Sequence, residues 1–250
     1  MNNQSSIRHL FFTAAFAALV CPLTNCALQK SVTKQESTAF LRSAGVSPSS
    51  KIARLPFEHS WRDRKVDPNQ YSRLVLHPVS LRYLRNEQWQ QSESSFLTTK
   101  QAYQAQANDL AQYWNKSLVT AFGSPNNRLK LAHDTSVPGT LVAEIAITEI
   151  VFSHPDTYAL SWALPGGGIA EGAMFAPSVA FEAVVRDAAT GKIVATAADR
   201  RSTKIKLVDF NRLTVAKPNR EICDEWSQQF MQAFNKELFP SVKRSWVGLY

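Results

Sequence analysis

Val179-Ala-Phe-Glu-Ala-Val-Val-Arg-Asp-Ala-Ala-Thr-Gly-Lys-Ile-Val-Ala-Thr-Ala-Ala198 is the stretch that decides the fold. Val179, Phe181, Ala183 and Val185 recur at every second position against Glu182 and Arg186, the period of a β-strand with one apolar face. Asp187-Ala-Ala-Thr-Gly191 begins as a helical turn and supplies a glycine where the backbone needs positive φ, so it closes a hairpin into a second strand over Lys192–Ala198. An antiparallel hairpin with one apolar face needs a layer to cover it.

Outward from this hairpin, Leu141, Ala143, Ile145, Ile147 and Val151 alternate in the same way, with Glu144 and Thr148 on the other face. Leu129–Ala132 reads as a short strand. Tyr71–Leu84 reads as another, with Val75, His77, Val79, Leu81 and Tyr83 on one face; Pro78 predicts an edge position or a bulge. The covering layer comes from two helical patterns. Thr98 with Gln101 resembles a capping box, and Leu110, Trp114, Leu118 and Phe122 follow every four residues, widened by Ala107, Ala111 and Ala121 and ended by Gly123 and Pro125. Pro218 opens the second pattern, whose stripe is Ile222, Trp226, Phe230, Phe234 and Leu238, and Pro240 closes it. Ile52–Val66 carries apolar anchors among charges without a period and reads as an extended loop. The expectation is an α+β fold: one mixed, mostly antiparallel sheet of about five strands, covered by two amphipathic helices.

The 250-residue chain is 44% apolar and 19% charged, an ordinary globular composition, and its 9 Gly, 12 Pro and 3 Cys exclude collagen-like, Pro/Gly low-complexity and disulfide-rich scaffolds. Its first residues are an address. Arg8 precedes the apolar run Leu10–Val20, about eleven residues that are too short for a ~30 Å hydrocarbon core. Small residues suited to conventional signal cleavage are missing after Val20, whereas Leu23-Thr24-Asn25-Cys26 resembles a bacterial lipobox, with Asn25 departing from the usual Gly or Ala. Cys26 is the expected lipidation site, and Cys21, followed by Pro22, is the weaker alternative; an uncleaved anchor or a soluble periplasmic protein is the plainer one. Ala27 after the Cys favours the outer over the inner membrane. The expected organisation is a signal peptide over 1–25, a lipidated Cys and polar tether over 26–50 with one sticky spot at Ala39-Phe40-Leu41, and one periplasmic domain over 51–250. With Cys21 removed and Cys26 acylated, Cys223 is the one remaining thiol and reads as a buried structural group beside Ile222 and Trp226.

The search for chemistry is less productive. Leu164-Pro-Gly-Gly-Gly-Ile-Ala170 lacks the Gly-Lys-Ser/Thr of a phosphate loop and the βαβ setting of a dinucleotide fingerprint, so it reads as an inter-strand connection. Trp162, Gly166, Gly167, Gly168 and Ile169 could still form a mobile lip over a binding surface. Ser31-Val-Thr-Lys34 lies in the tether without partner motifs. The histidines His59, His77, His133 and His154 are scattered, so no metal or other cofactor is expected. No catalytic residues are selected, and Glu144, Glu149 and Glu182 read as solvated strand faces. The net charge of +8 is uneven: Thr140–Thr190 holds six acids against Arg186 alone, while Arg200, Arg201, Lys204 and Lys206 form a candidate basic patch. In the envelope such a patch would meet lipid headgroups, an anionic polymer or an acidic protein; nucleic acid is excluded by compartment.

Leu55-Pro-Phe-Glu-His-Ser-Trp61, Tyr71-Ser-Arg-Leu-Val-Leu-His-Pro-Val79, Leu141-Val-Ala-Glu-Ile-Ala-Ile-Thr148, Ala163-Leu-Pro-Gly-Gly-Gly168 and Phe181–Gly191 with Asp199-Arg-Arg201 stand in the order found in a bacterial lipoprotein family known only as domain of unknown function 3313, which the chain resembles. The resemblance implies a lipid-anchored envelope protein and transfers no catalytic residues. The expected function is non-enzymatic: an outer-membrane lipoprotein, attached to the membrane through its N-terminal lipid, whose periplasm-facing domain binds an envelope protein or anionic envelope polymer. The alternatives are a ligand-binding or accessory subunit of an envelope transporter, with the lip around the glycine run, and a hydrolase of envelope polymers.

Overall fold

The computed structural model describes residues 37–45, 55–85, 100–152, 177–202 and 217–235, and the folded unit to which they all belong begins at Glu36. The elements run α1 (Ala39–Ser43), β1 (His59–Arg62), a 3-10 turn (Pro68–Gln70), β2 (Arg73–Leu76), α2 (Lys100–Phe122), β3 (Lys130–Leu131), β4 (Thr140–Val151), β5 (Ser178–Asp187), β6 (Ile193–Ser202) and α3 (Lys217–Asn235). The sheet has six strands in the order β1-β6-β5-β4-β2-β3. β4, β5, β6 and β1 pair antiparallel, while β2 is parallel to both β3 and β4. The α+β expectation holds, with one strand more than expected.

The added strand is β1, which the sequence reading had placed in a loop. It pairs with Ala195–Ala198 of β6 through its backbone and sits at the sheet edge, where four residues with one buried side chain, Ser60, produce no apolar alternation. Lys192 closes onto Asp63 at 2.6 Å just beyond it. The expected long strand over 71–84 is also corrected. Regular pairing stops at Leu76, and Pro78, which has no N–H to donate, separates it from an isolated bridge between Ser80 and Ala146. Because β3 lies outside it, β2 is an interior strand rather than an edge. The turn before β4 depends on Gly139, whose φ is 74° and where a Cβ would stand 2.7 Å from the Gln70 carbonyl oxygen.

Two bulges set which residues face the helices. Between Ile147 and Glu149 the register with β5 shifts by one residue, so Thr148 is the extra residue and the apolar phase passes from Ile147 to Ile150 instead of continuing to Val151. A second shift, between Val185 and Arg186, leaves Val194 as the extra residue. The helix-facing side then carries Leu141, Ala143, Ile145, Ile147 and Ile150 of β4, Val179, Phe181, Ala183 and Val185 of β5, and Ala197 of β6, all within one core with α2 and α3.

Phe181 is the centre of that core. Its ring lies 4.7 Å from Trp226, 5.2 Å from Phe230, 5.5 Å from Trp114 and 5.6 Å from Phe57, three of these contacts being edge-on. Trp114 and Trp226 are fully buried. The expected stripes Leu110-Trp114-Leu118-Phe122 and Ile222-Trp226-Phe230 face inward, Phe234 packs partly buried against the same core, and Leu238 lies outside the described residues. The two helices are tied on their outer side, where Tyr113 and Ser117, one turn apart, both donate to Asp224 and Arg220 pairs with Asp109 at 2.6 Å. Arg128 closes the far end: its Nε donates to the Phe234 carbonyl at the last turn of α3, and its Nη1 donates to the carbonyls of Pro68 and Tyr71. Phe181→Ala is expected to cost about 3–5 kcal/mol, read as a fall in the urea midpoint at unchanged slope. A loss below about 1 kcal/mol would show that the ring is not the hub of the core.

Candidate functional site

Neighbouring residues on a strand point to opposite faces. Phe181 therefore faces the helices, and Glu182 faces the other side of the sheet. There Glu182 lies in register with Ala146 of β4 and Ala198 of β6. Flanked by two methyl groups, its carboxylate sits in a shallow slot only 2% exposed. The N-terminal segment fills that slot. Thr38 donates its backbone N–H to Oε1 at 2.7 Å and its hydroxyl to Oε2 at 2.6 Å, and the Leu41 N–H reaches Oε2 at 3.3 Å. The Thr38 hydroxyl also accepts from Phe40 N–H and so caps α1. Glu182 is thus a second, tertiary cap on a five-residue helix that could not persist alone. Leu41 is fully buried, and the half-buried Phe40 ring packs at a tilt, 5.1 Å from Tyr83. The expected tether over 26–50 is corrected here: Thr38–Ser43 is part of the fold, because a buried carboxylate and a buried leucine hold it on the sheet.

One row further along β5, Ala180 stands between Glu149 and Arg200. Its side chain is small enough for Arg200 to cross it. Arg200 places Nη2 at 2.6 Å and Nε at 2.8 Å from Glu149 Oε1, which also accepts from the Ser178 hydroxyl at 2.9 Å. Glu149 faces this side only because the Thr148 bulge moves it off the helix-facing phase. On the other side of Glu182, Glu144 lies 3.4 Å from Arg186 Nε and 3.7 Å from His77 Nδ1. Of the three acids read as solvated, Glu144 remains partly exposed, whereas Glu149 and Glu182 are buried and partnered. Alternation alone cannot distinguish an open face from one covered by another part of the chain.

Two residues of the candidate basic patch, Arg200 and Arg201, fall under the same rule of opposite faces. Arg200 points to the Glu149 side, while Arg201 points under α3 with its side chain 11% exposed. There Arg201 Nε donates to Asp199 Oδ2 at 2.8 Å, Nη2 donates to Gln229 at 2.6 Å, and Nη1 pairs with Glu225 at 2.9 Å. Asp199 Oδ2 also accepts from the Trp226 indole at 3.0 Å, and Oδ1 accepts from the Glu58 backbone at 3.2 Å. Arg201 is an internal tie, whereas Arg200 pairs with Glu149 with its own side chain still 38% exposed. Lys204 and Lys206 lie outside the described residues, as do Cys21, Cys26, the lip residues Trp162, Gly166, Gly167, Gly168 and Ile169, the Ser31-Lys34 motif and His154.

Cys223 is fully buried and free; burial, and secondarily Asp224, pushes its thiol well above the ordinary range, as an inert core thiol requires. Among the described residues there is no group of three His, Cys, Asp or Glu able to hold a metal, and no helix is long and apolar enough to cross a membrane. An apolar void between helices and sheet, lined by Leu118, Phe122, Ala143, Ala183 and Phe230 among others, amounts to about 10 Å³, room for roughly one water.

These features define an α+β protein whose central hairpin is covered on one side by two helices and holds an N-terminal strap on the other. The chain belongs to the family described as protein of unknown function DUF3313, whose model matches residues 36–230. No curated protein matches it. Among solved structures it is similar to the PelC dodecamer of Paraburkholderia phytofirmans, at 9% identity and a TM-score of 0.35 over 69% of this chain and 95% of that one. It is also similar to a minor lipoprotein of Acinetobacter baumannii, at 12% identity and 0.31 over 69% and 98%, and to a DUF4136 family protein of Bacteroides thetaiotaomicron, at 12% identity and 0.33 over 72% and 96%.

Glu182→Ala removes the acceptor for three donors and is expected to free residues 37–43, so that trypsin cuts after the exposed Arg42 many times faster than in the parent while the core elements stay protected. Unchanged cleavage would mean that Leu41 holds the strap alone. A second expectation concerns alkaline pH. Tyr71 is pushed up to about 12 by burial and then by its hydrogen bond to Asp187, Tyr103 to about 12 by burial and the charge of Glu149, and Tyr113 to about 12 by its hydrogen bond to Asp224 and then burial. Each neutral phenol stabilises the folded state fully below pH 10, and that contribution is lost as the pH rises through about 12. Tyrosinate absorbance should therefore develop in two stages, the later one together with alkaline unfolding; a single stage near 10 would contradict these environments.

Proposed function

We propose that this protein is an outer-membrane lipoprotein, acylated at Cys26, whose periplasm-facing domain binds another envelope component without catalysing a reaction. The observation that carries the reading is the order of the N-terminal parts: Arg8, a short apolar run, Leu23-Thr24-Asn25-Cys26, and then a folded unit that begins at Glu36. A chain with this start is exported, and three acyl chains at about 0.8 kcal/mol per buried CH₂ would hold it on a membrane indefinitely.

The described polar clusters support a binding or scaffolding role. Glu182 is used by the strap, Asp199 and Arg201 by α3, and Glu149 by Arg200, so each charge is engaged within the fold. The residues offered for a partner are Trp162, Gly166–Gly168 and Ile169 of the glycine run and the lysines Lys204 and Lys206. An acidic protein face or an anionic polymer would complement the lysines.

Metabolic labelling with radioactive palmitate tests the anchor: the parent should be labelled and Cys26→Ser should not, with the unlabelled variant released from the membrane fraction. Labelling that persists in Cys26→Ser and disappears in Cys21→Ser would move the anchor to Cys21. Loss in neither variant would refute acylation. Crosslinking in intact cells from position 162 should capture one recurrent envelope protein or glycan, whereas an even distribution of adducts would count against a dedicated partner.

A further inference from the structure

The strap on Glu182 has a consequence for how the domain meets its membrane. If the chain were free to residue 50, Cys26 and the fold would be separated by 24 residues, an extended reach of about 85 Å. With Thr38 fixed to β5, 12 residues remain, and at about 3.5 Å each they span at most about 42 Å. That limit is comparable to the length of α2, whose 23 residues at about 1.5 Å rise extend for roughly 35 Å. The chain joins the fold on the Glu182 side of the sheet, opposite α2 and α3. A lipid at Cys26 therefore restrains that side more closely than the helix side.

The residues around the point of entry suit a membrane surface. Arg42 is exposed on α1. Phe40 packs at a tilt against Tyr83, both half-buried, and the exposed Arg82 lies with its guanidinium carbon 5.8 Å from the Tyr83 ring centre. Neither Arg42 nor Arg82 belongs to the ion pairs that bind the strands and helices together, unlike Arg186, Arg200, Arg201 and Arg220. Exposed arginines beside amphipathic rings combine attraction to anionic headgroups with aromatic groups that favour the interface.

We infer that the Phe40–Arg42 strap together with Arg82 and Tyr83 forms a membrane-facing surface that rests on anionic lipid headgroups, with Glu182 holding it in place and the α2–α3 layer turned away from the bilayer. The inference rests on acylation at Cys26, and its test separates the two. The full-length lipoprotein carries a single added cysteine, Ala39→Cys on the strap or Gln112→Cys on the exposed side of α2, labelled with an environment-sensitive fluorophore; Cys223 is buried and does not compete. It is reconstituted into vesicles of phosphatidylcholine alone or with phosphatidylglycerol, with and without a headgroup-linked quencher. Flotation with the vesicles and the mass of the N-terminal peptide report acylation independently of the fluorophore.

In phosphatidylglycerol vesicles the label at 39 should be quenched several-fold more than the label at 112, and the difference should shrink in phosphatidylcholine. Each of Arg42→Glu and Arg82→Glu should reduce the quenching at 39, and both should leave the urea midpoint unchanged because the two side chains are exposed. Equal quenching at 39 and 112 on protein that floats would overturn the orientation while leaving acylation intact, and stronger quenching at 112 would reverse it. Quenching at 39 that persists unchanged in the double variant would overturn the role of the arginines. A chain that carries no lipid and does not float removes the anchor and the orientation together.

Discussion

Phe181 touches four aromatic rings from three separate parts of the chain, and the residue after it, Glu182, caps a helix from a fourth. Everything else is arranged around this pair. β5 is the centre of the antiparallel part of the sheet, so its two faces can be organised independently: van der Waals and ring–edge contacts act on one side, and charge-assisted hydrogen bonds act on the other. The two sides need different neighbours. The helix side requires large apolar groups delivered by α2 and α3, while the strap side requires small ones, Ala146, Ala180 and Ala198, so that glutamates and an arginine lying flat on the sheet can reach their partners.

The bulge at Thr148 is what makes the second face polar in an ordered way. Without it Glu149 would follow Ile147 into the helix core, where a carboxylate without a partner costs several kcal/mol. The extra residue turns Glu149 to the side where Arg200 lies across Ala180, and it leaves Ile150 to fill the core. On β6 the same opposition of faces sends Arg200 and Arg201 to different destinations. Two adjacent arginines that look like one cationic patch become ties for two different interfaces.

The helices, the hairpin and the core stripes were legible because their signals are local. Leu110-Trp114-Leu118-Phe122 and Ile222-Trp226-Phe230 state a helical period, and Val179 through Val185 state a strand period, whatever they pack on. The short edge strand β1 was not legible, and of the docked strap only the apolar spot Ala39-Phe40-Leu41 was, not what it docks on. β1 is defined by backbone hydrogen bonds to β6 that leave no trace in side-chain alternation, and the strap is defined by one glutamate 144 residues away. The slip from Ile147 to Ile150 was a signal within reach: apolar residues at 147, 150 and 152 break the odd-numbered phase and announce a bulge.

The sequence by itself determined the class of fold, the family, the inward stripes of both long helices and the hairpin turn at Gly191, since these depend on periodicity and on backbone conformations that few residue types can adopt. The apolar run Leu10–Val20 and Cys26, on which the proposed export and location rest, are likewise linear features of the sequence. It took the tertiary structure to show that Glu149 and Glu182 are buried and partnered while Glu144 stays partly exposed, that Arg200 and Arg201 part company, and that the fold begins before residue 51. Each of those outcomes depends on which distant segment covers a face, and the alternation of side chains along a strand carries no information about what arrives to cover it.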